Sequence, residues 1–376
     1  MPTTHTERSC TSCVLDTTVP DITFDDDGVC NFCHRYRERI ATELRYDEAG
    51  QRRLAELVEE IKAAGRDQPY DCIVGISGGV DSTYVAYVAK RKYGLRPLAI
   101  HVDNGWNSEL AVQNIEQTLR RLDIDLHTNV LDWEEFRDLQ RSFLASGIAN
   151  AEIPTDHAIV ATLFQTARSM KIKHVLTGSN LVTEAVLPES WMYDAYDLRL
   201  IKAVHKRFGT VPLATYPKLS YIRLGIMLGV QGYKFVNVLN FEPYHKAEVK
   251  ALLTTELGWR DYGGKHYESV FTKFFQGVIL PRKFGIDKRK AHLANLVLSG
   301  QITRDEAVAE LATPPYPEED LERDREYVIK KLGYTSAEFD AIMAAPPKRA
   351  QDYPNGEWMK RFFGTFAGFA RRRALR

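Results

Sequence analysis

Cysteine is scarce in this sequence and unevenly placed: of five in 376 residues, four fall within the first 33. Only Cys72 remains for the rest of the chain, which leaves little room for chemistry that draws on several reactive thiols. Net charge is missing as well. Fifty Lys and Arg balance fifty Asp and Glu, which speaks against a dedicated nucleic-acid surface. No apolar run approaches the length that spans a bilayer. The first ten residues are polar and lack the apolar core of a signal peptide, so the expectation is a cytoplasmic protein with no membrane partner. With 44% hydrophobic and 27% charged residues, the composition is that of a globular chain long enough to bury a core and carry more than one module.

The four clustered cysteines form two pairs, Cys10-x-x-Cys13 and Cys30-x-x-Cys33, separated by sixteen residues. Two such knuckles fit a closed, structural Zn²⁺ site of four thiolates. Two disulfides are the alternative, which a cytosolic chain disfavours. His34 adjoins the last cysteine as a substitute ligand or a solvated neighbour. The Asp25-Asp26-Asp27-Gly28 run lacks the spaced oxygens of a Ca²⁺ loop and reads as a tight turn.

The sequence is organised around 70–83. A short apolar run at 72–76 reads as a buried parallel strand. Ser77-Gly78-Gly79 breaks it, and Val80, Tyr84, Val85 and Val88 then fall on one helical face. The free N–H groups of such a helix start, with two glycines beside them, suit a phosphate. Ser77, Ser82 and Thr83 add hydroxyls. Asp81 would repel a phosphate unless a cation such as Mg²⁺ lies between them. No lysine follows the glycines, so this is not a Walker-type loop. A plain turn with Ser77 as the helix cap is the simpler alternative. The hexapeptide S-G-G-V-D-S resembles the PP-loop of the ATP pyrophosphatases, which cleave ATP to AMP and pyrophosphate. That resemblance implies ATP binding by Ser77, Gly78, Gly79, Val80, Ser82 and Thr83.

Strands at 72–76, 96–103, 126–131 and 174–178 alternate with helices at 80–93, 108–122, 133–146 and 155–170, the last capped by Thr155 or Asp156. Such alternation predicts an α/β fold, a Rossmann-like parallel sheet with helices on both faces. Ligands then bind beyond the strand C-termini. Three strand ends matter together: the loop, His101-Val102-Asp103-Asn104-Gly105, and Thr177-Gly178-Ser179-Asn180. PP-loop enzymes imply that Val102, Asp103 and Asn104 hold adenine and that Gly178 and Ser179 approach the nucleotide. The V-D-N-G run is similar to that of GMP synthetase. Glu184 matches by position the acidic residue that shares Mg²⁺ with the loop aspartate in NAD synthetase-like members; a solvated helix carboxylate is the alternative.

Elsewhere the reading is coarser. Residues 35–66 read as one charged connector helix. Polar residues at 150–157 face the strand ends and are candidates to touch substrate, with His157 a candidate general base or a surface histidine at a helix start. An aromatic loop follows at 188–196, then helices at 197–208, 244–257, 305–311, 318–331 and 336–343. Lys283, Lys288 and Arg289 form a cationic cluster with no acidic block beside it, suited to a leaving pyrophosphate; a solvated basic helix start is the alternative. The sequence ends in a basic tail at 371–376. Three modules are expected: a zinc module at 1–40, a PP-loop domain at 41–215, and a mainly helical region at 216–376 that completes the substrate site.

Taken together, the knuckles, S-G-G-V-D-S, V-D-N-G-W, T-G-S-N, G-G-K-H-x-E-S-x-F-T-K-F-F and P-x-K-F-G-x-D-K-R-x-A-H resemble the N-acetyl sugar amidotransferases of bacterial surface-polysaccharide pathways. The resemblance runs from about residue 10 to residue 311. It implies that ATP adenylates the acetamido oxygen of a nucleotide-linked N-acetyl sugar and that ammonia displaces AMP to leave an acetamidino group. Adenylation splits one difficult substitution into two easier ones. Met1 is followed by Pro2 and no Cys–His glutaminase pair is visible, so the ammonia is expected from a separate glutaminase, passed on by a cyclase-like channel subunit. The rivals are a zinc-knuckle tRNA thiolase of the same superfamily, for which Cys72 is poorly placed, and a non-catalytic nucleotide sensor, against which Asp81, Ser82 and Glu184 argue.

Overall fold

The computed structural model describes residues 8–192 and 194–360. Tyr193 of the aromatic loop, the first seven residues and the basic tail at 371–376 lie outside the described residues. Five strands, β1 (Cys72–Gly75), β2 (Pro97–Asp103), β3 (Asp125–Val130), β4 (His174–Thr177) and β5 (Lys234–Asn237), form one sheet in the order β3-β2-β1-β4-β5. Every pairing is parallel, with Ile73 of β1 between Leu98 of β2 and Val175 of β4. Strand order reverses between β1 and β4, so a crevice opens where the loop after β1 meets the turn after β4.

Helices cover both faces. On one side Leu57 and Ile61 of helix Glu48–Gly65, Val85 of Val80–Tyr87, Ile115 and Leu119 of Glu109–Leu122 and Leu253 of Lys246–Leu257 bury against the sheet. On the other, Ala161 and Phe164 of Ile153–Ser169 and Met227 of Tyr221–Gly229 pack on Ile73, Leu98 and Ile100. A third core joins Trp133–Ser146, Leu198–Phe208, the 270–284 stretch and Glu318–Leu332. The fourth unites the cysteine knuckles with helices Lys288–Leu298 and Arg304–Leu311, so segments more than 250 residues apart in sequence share one core.

Several elements differ from the sequence reading. Residues 35–66 are not one helix. Asn31–Glu43 and Glu48–Gly65 are separated by an extended break, and the Asp47 side chain caps the second by accepting from the Gly50 N–H. The helix expected from 155 begins at Ile153, with Pro154 in its first turn, and neither Thr155 nor Asp156 caps it. Proline suits a first turn because its missing N–H would have no partner there. Strand β5 carried no signal, being four residues beside a longer amphipathic run. It draws a sheet strand from beyond residue 216. Helix Val270–Phe274 widens into a π-helical stretch, Phe275–Phe284, that contains Pro281.

Helix Trp133–Ser146 anchors the 210–216 segment through two buried carboxylates. Glu135 accepts from the N–H groups of Thr215 and Tyr216 at 2.9–3.0 Å, and Asp138 from the N–H and hydroxyl of Thr210. Burial opposes the charge on Glu135, but these donors outweigh it and hold its carboxyl below the usual range. Glu135→Ala strands those donors and is expected to cost about 1–3 kcal/mol. Because the native carboxyl titrates below its unfolded value, the lost stability is full above about pH 5 and shrinks as pH falls below about 4. Urea unfolding of both proteins across pH checks it; a pH-independent difference would contradict the assignment.

Candidate active site

The loop after β1 is built from side chains that brace its backbone. Ser77 Oγ and Ser82 Oγ stand 3.2 Å apart, the Gly79 N–H donates to Ser77 Oγ at 3.3 Å, and Ser82 Oγ donates to the Gly79 carbonyl at 3.1 Å. Gly78 has φ +83°, a conformation that a Cβ makes costly. Its carbonyl accepts two hydrogen bonds from far along the chain, from Trp259 Nε1 at 2.8 Å and Tyr262 Oη at 2.7 Å. A Cβ at Gly178 would come 3.1 Å from the Ser82 nitrogen, which shows how closely the turn after β4 meets the loop.

The loop opens onto a cavity of about 1100 Å³. Of the residues singled out in the sequence, Ser77, Ser82, Val102, Asn104, Gly178, Ser179, Glu184, Lys288 and Arg289 line it. Val80 and Thr83 are buried, and the Thr83 hydroxyl has no hydrogen-bond partner. Asp103 spends its carboxylate on its own turn, accepting from the Gly105 N–H at 2.8 Å and from Asn107. Two segments from the second half of the chain close the cavity, 263–277 and 288–315. The first docks on the end of β2: the Ser108 N–H donates to the Glu268 carbonyl and the Val270 N–H to the Trp106 carbonyl, each at 2.9 Å.

Asp81 accepts a hydrogen bond from the Tyr244 hydroxyl. Burial, and after it the nearby Glu184 carboxylate, push the Asp81 carboxyl up, against the pull of Tyr244, Lys265 and Lys246. Lys265 Nζ lies 3.7 Å from Glu184. Burial pushes the Lys246 ammonium and the His292 imidazole down. Lys246, Lys265 and His292 all line the cavity, and the sequence reading missed the two lysines as cations beside Asp81. The G-G-K-H run was the one signal available, and Lys265 sits inside it.

The cationic trio divides. Lys283 donates to the Ile342 carbonyl, stacks near Phe284, and stands outside the residues that line the cavity. Arg289 does reach the wall, but its guanidinium is held by Asp287 at 2.7–3.1 Å and by the carbonyls of Glu310 and Thr313. Lys288 faces Glu152 and Asp156. The cluster therefore has acidic neighbours, Asp287 within the run itself and Glu152 and Asp156 from far along the chain. His157 is not at the surface. It is 1% exposed, with Nδ1 against the Ala195 carbonyl at 2.5 Å and Nε2 accepting the Leu219 N–H at 3.1 Å. Burial lowers its imidazole to about 4, so it is a buried crosslink with neither ring nitrogen left for chemistry.

The four knuckle cysteines are buried, and their sulfurs all lie within 4.8 Å of one another. Neighbouring pairs stand at 3.5–3.8 Å, beyond the ~2.05 Å of a disulfide and near the ~3.8 Å edge of a tetrahedron with Zn–S bonds of ~2.3 Å. The N–H groups of Ser12, Leu15 and Cys30 point at these sulfurs. The donor set fits one tetrahedral thiophilic ion.

Residues 268–365 match the family model described as LPS biosynthesis protein WbpG-like, C-terminal domain. The match begins at Glu268, the residue that docks on β2. A Methanocaldococcus jannaschii protein, MJ1599, is 25% identical over 331 residues, covering 85% of this chain and 99% of that protein. The glutamine-hydrolyzing GMP synthase of Aeropyrum pernix is 35% identical over 72 residues, 19% of this chain and 14% of that enzyme. Similar solved structures include NMN synthetase from Francisella tularensis, with TM-score 0.37, 15% identity, 70% of this chain and 92% of that one covered. The NH3-dependent NAD synthetase from Campylobacter jejuni has TM-score 0.32 and 15% identity, with 80% and 97% covered.

A Cβ at Gly78 would lie 2.8 Å from both the Ala111 carbonyl oxygen and Tyr262 Oη. Gly78→Ala is therefore expected to cost about 1–3 kcal/mol in strain. Thermal melts of the two proteins check it; an unchanged melt would contradict the loop geometry.

Proposed function

With a WbpG-like C-terminal domain at 268–365 as its premise, we propose that this chain is an ATP-dependent amidotransferase of surface-polysaccharide biosynthesis. It adenylates the acetamido oxygen of a nucleotide-linked N-acetyl sugar and replaces that oxygen with ammonia, releasing AMP and pyrophosphate. One observation carries this reading: the Gly-rich loop and the WbpG-like segment wall the same cavity, so a nucleotide at the loop meets whatever that segment binds. Ser77, Ser82, Gly178 and Ser179 would receive the phosphates, and Val102 and Asn104 the adenine. Lys246 and Lys265 would face the departing pyrophosphate, where fixed positive charge is most effective. Asp81 and Glu184 would hold Mg²⁺, whose charge would offset the burial and the nearby Glu184 carboxylate that raise the Asp81 carboxyl. The knuckles would hold Zn²⁺ as a structural ion. Ammonia would come from a separate glutaminase through a cyclase-like subunit.

The thiolase alternative loses support here. No cysteine lines the cavity. Cys72 is fully buried in β1, where burial pushes its thiol up, and the other four thiols are drawn into one cluster.

The test is incubation with ATP, Mg²⁺, ammonia and a panel of nucleoside-diphosphate-linked acetamido sugars. AMP and an amidine are the expected products; ADP, or AMP formed at the same rate without an acetamido sugar, would sink the reading. Asp81→Asn is expected to cut AMP formation by a factor on the order of 10² or more. It should melt no lower than wild type, because the charge it removes is disfavoured by burial; retained turnover would remove Asp81 from the metal site. Cys30→Ser is expected to lose zinc and stability together, and full zinc content in the purified variant would end the knuckle assignment.

A further inference from the structure

One buried carboxylate in the cavity takes no part in holding nucleotide or metal. Glu152 stands at the start of helix Ile153–Ser169, where a side chain usually caps the first-turn N–H groups, and it makes no such bond. It reaches across to the WbpG-like segment instead, where it accepts the Thr272 hydroxyl at 2.8 Å. Glu152 is 6% exposed and lines the cavity. The charged groups that face it are Asp156 on its own helix, Lys288 at the start of Lys288–Leu298, and Glu268 ahead of Val270. Three separate stretches of chain thus converge to hold one carboxylate in a nearly dry place beside the nucleotide loop.

We infer that Glu152 is the proton acceptor for the incoming nitrogen, an inference that rests on the amide-activation reading above. In that reaction ammonia attacks a carbon that carries O–AMP. The new C–N bond leaves the incoming nitrogen positively charged, and in that state it has no lone pair with which to expel the leaving group. One N–H proton passes to the Glu152 carboxylate. The neutral amine then drives out AMP as the C–O bond breaks, and the product is an amidinium. The original amide nitrogen keeps its own proton, and Glu152 later returns the transferred one to water. Electrons and atoms balance with ammonia and the adenylate alone.

The surroundings suit the task. Burial and then Asp156 raise the carboxyl to about 7, while Thr272 and Lys288 pull it down. A base with that value takes a proton more readily than an exposed glutamate and is still partly ionised at neutral pH. Its hydroxyl partner fixes one oxygen, which orients the group without neutralising it. Thr272 belongs to the segment that matches the surface-polysaccharide family model, whereas Glu152 belongs to the sheet domain, so the acid–base group assembles only when the two parts dock.

The two half-reactions separate this role from a structural one. Adenylation is read as acetamido-sugar-dependent exchange of labelled pyrophosphate into ATP, and amidination as ammonia-dependent amidine formation, both with a sugar from the panel that the wild type turns over. Glu152→Gln is expected to hold exchange within about twofold and to lose amidination by a factor on the order of 10²–10⁴. It should also lose the acidic limb of the kcat profile. Thr272→Val keeps the carboxylate but removes a donor that favours its ionised form, so that limb is expected to move to higher pH. Equal loss of exchange and amidination in Glu152→Gln would overturn the inference, as would wild-type amidination or an unmoved limb in Thr272→Val. A folded wild type that exchanges no pyrophosphate with any sugar of the panel would fail the amide-activation reading itself, and the inference with it.

Discussion

The carbonyl of Gly78 is the point on which the site turns. A trans peptide is planar, so fixing that carbonyl fixes the Gly79 N–H on the opposite side of the plane. The fixing groups are Trp259 Nε1 and Tyr262 Oη, more than 180 residues along the chain. Each bond contributes roughly 0.5–1.5 kcal/mol, and together they leave the peptide no second orientation of equal energy. Trp259 is fully buried, so its indole N–H has no water to turn to. The Gly-rich loop is therefore not a self-contained motif. Its shape depends on the chain returning past the β5 edge of the sheet, and the pairing of 106–108 with 268–270 brings that return to the end of β2.

The same dependence runs to the other end of the chain. The knuckles share a core with the helix that carries both Lys288 and His292. Arg304 donates to the carbonyls of Cys10 and Cys13, and Lys290 pairs with Asp16 at 2.5 Å. Asn295 completes the brace by bonding both the N–H and the carbonyl of Val186, just past Glu184. A module of this size buries too little apolar surface to hold a fixed shape by itself. An ion held by the four clustered thiols would supply the missing rigidity, and that rigidity would pass to a wall of the cavity through side chains that touch both.

Local pattern made most of the sheet domain readable. Three strands showed as apolar runs ended by Gly, Asn or Ser, the more polar β3 showed by its place in the alternation, and helix 133–146 was readable to the residue because Asp132 caps it and Gly147 ends it in the left-handed region. What stayed hidden was set by tertiary contact. Strand β5 is too short to show a period, and it is held by β4 and by Thr177 bonding Asn237. Lysines and arginines in a run look alike, yet Lys283 turns to a backbone carbonyl, Arg289 is bound by its neighbour Asp287, and Lys288 meets acids 130 residues away. The cations beside Asp81 come from 246 and 265, which no spacing rule connects to residue 81. His157 looked reactive because it lay near the strand ends, whereas backbone groups from 195 and 219 had already claimed both of its nitrogens.

Two desolvated acidic groups belong to this site, Glu152 on the cavity wall and Asp81 beside the lining residues Ser82 and Glu184, and one cause governs both. At Asp81 and at Glu152, loss of water makes the charged carboxylate costly and raises its carboxyl, with a second carboxylate nearby adding to the effect. What differs is the company. Asp81 is ringed by Lys246, Lys265 and the Tyr244 hydroxyl, and Glu184 stands across from it, an arrangement that a divalent cation completes. Glu152 has one hydroxyl and one lysine against two acids, Asp156 and Glu268, an arrangement that a single proton completes. A metal ion at Glu152 would abolish its basicity, and a proton at Asp81 would remove the ligand that a triphosphate requires. On the proposed reaction the same desolvation would serve ATP activation and proton transfer in one site, because each carboxylate would meet a different positive partner.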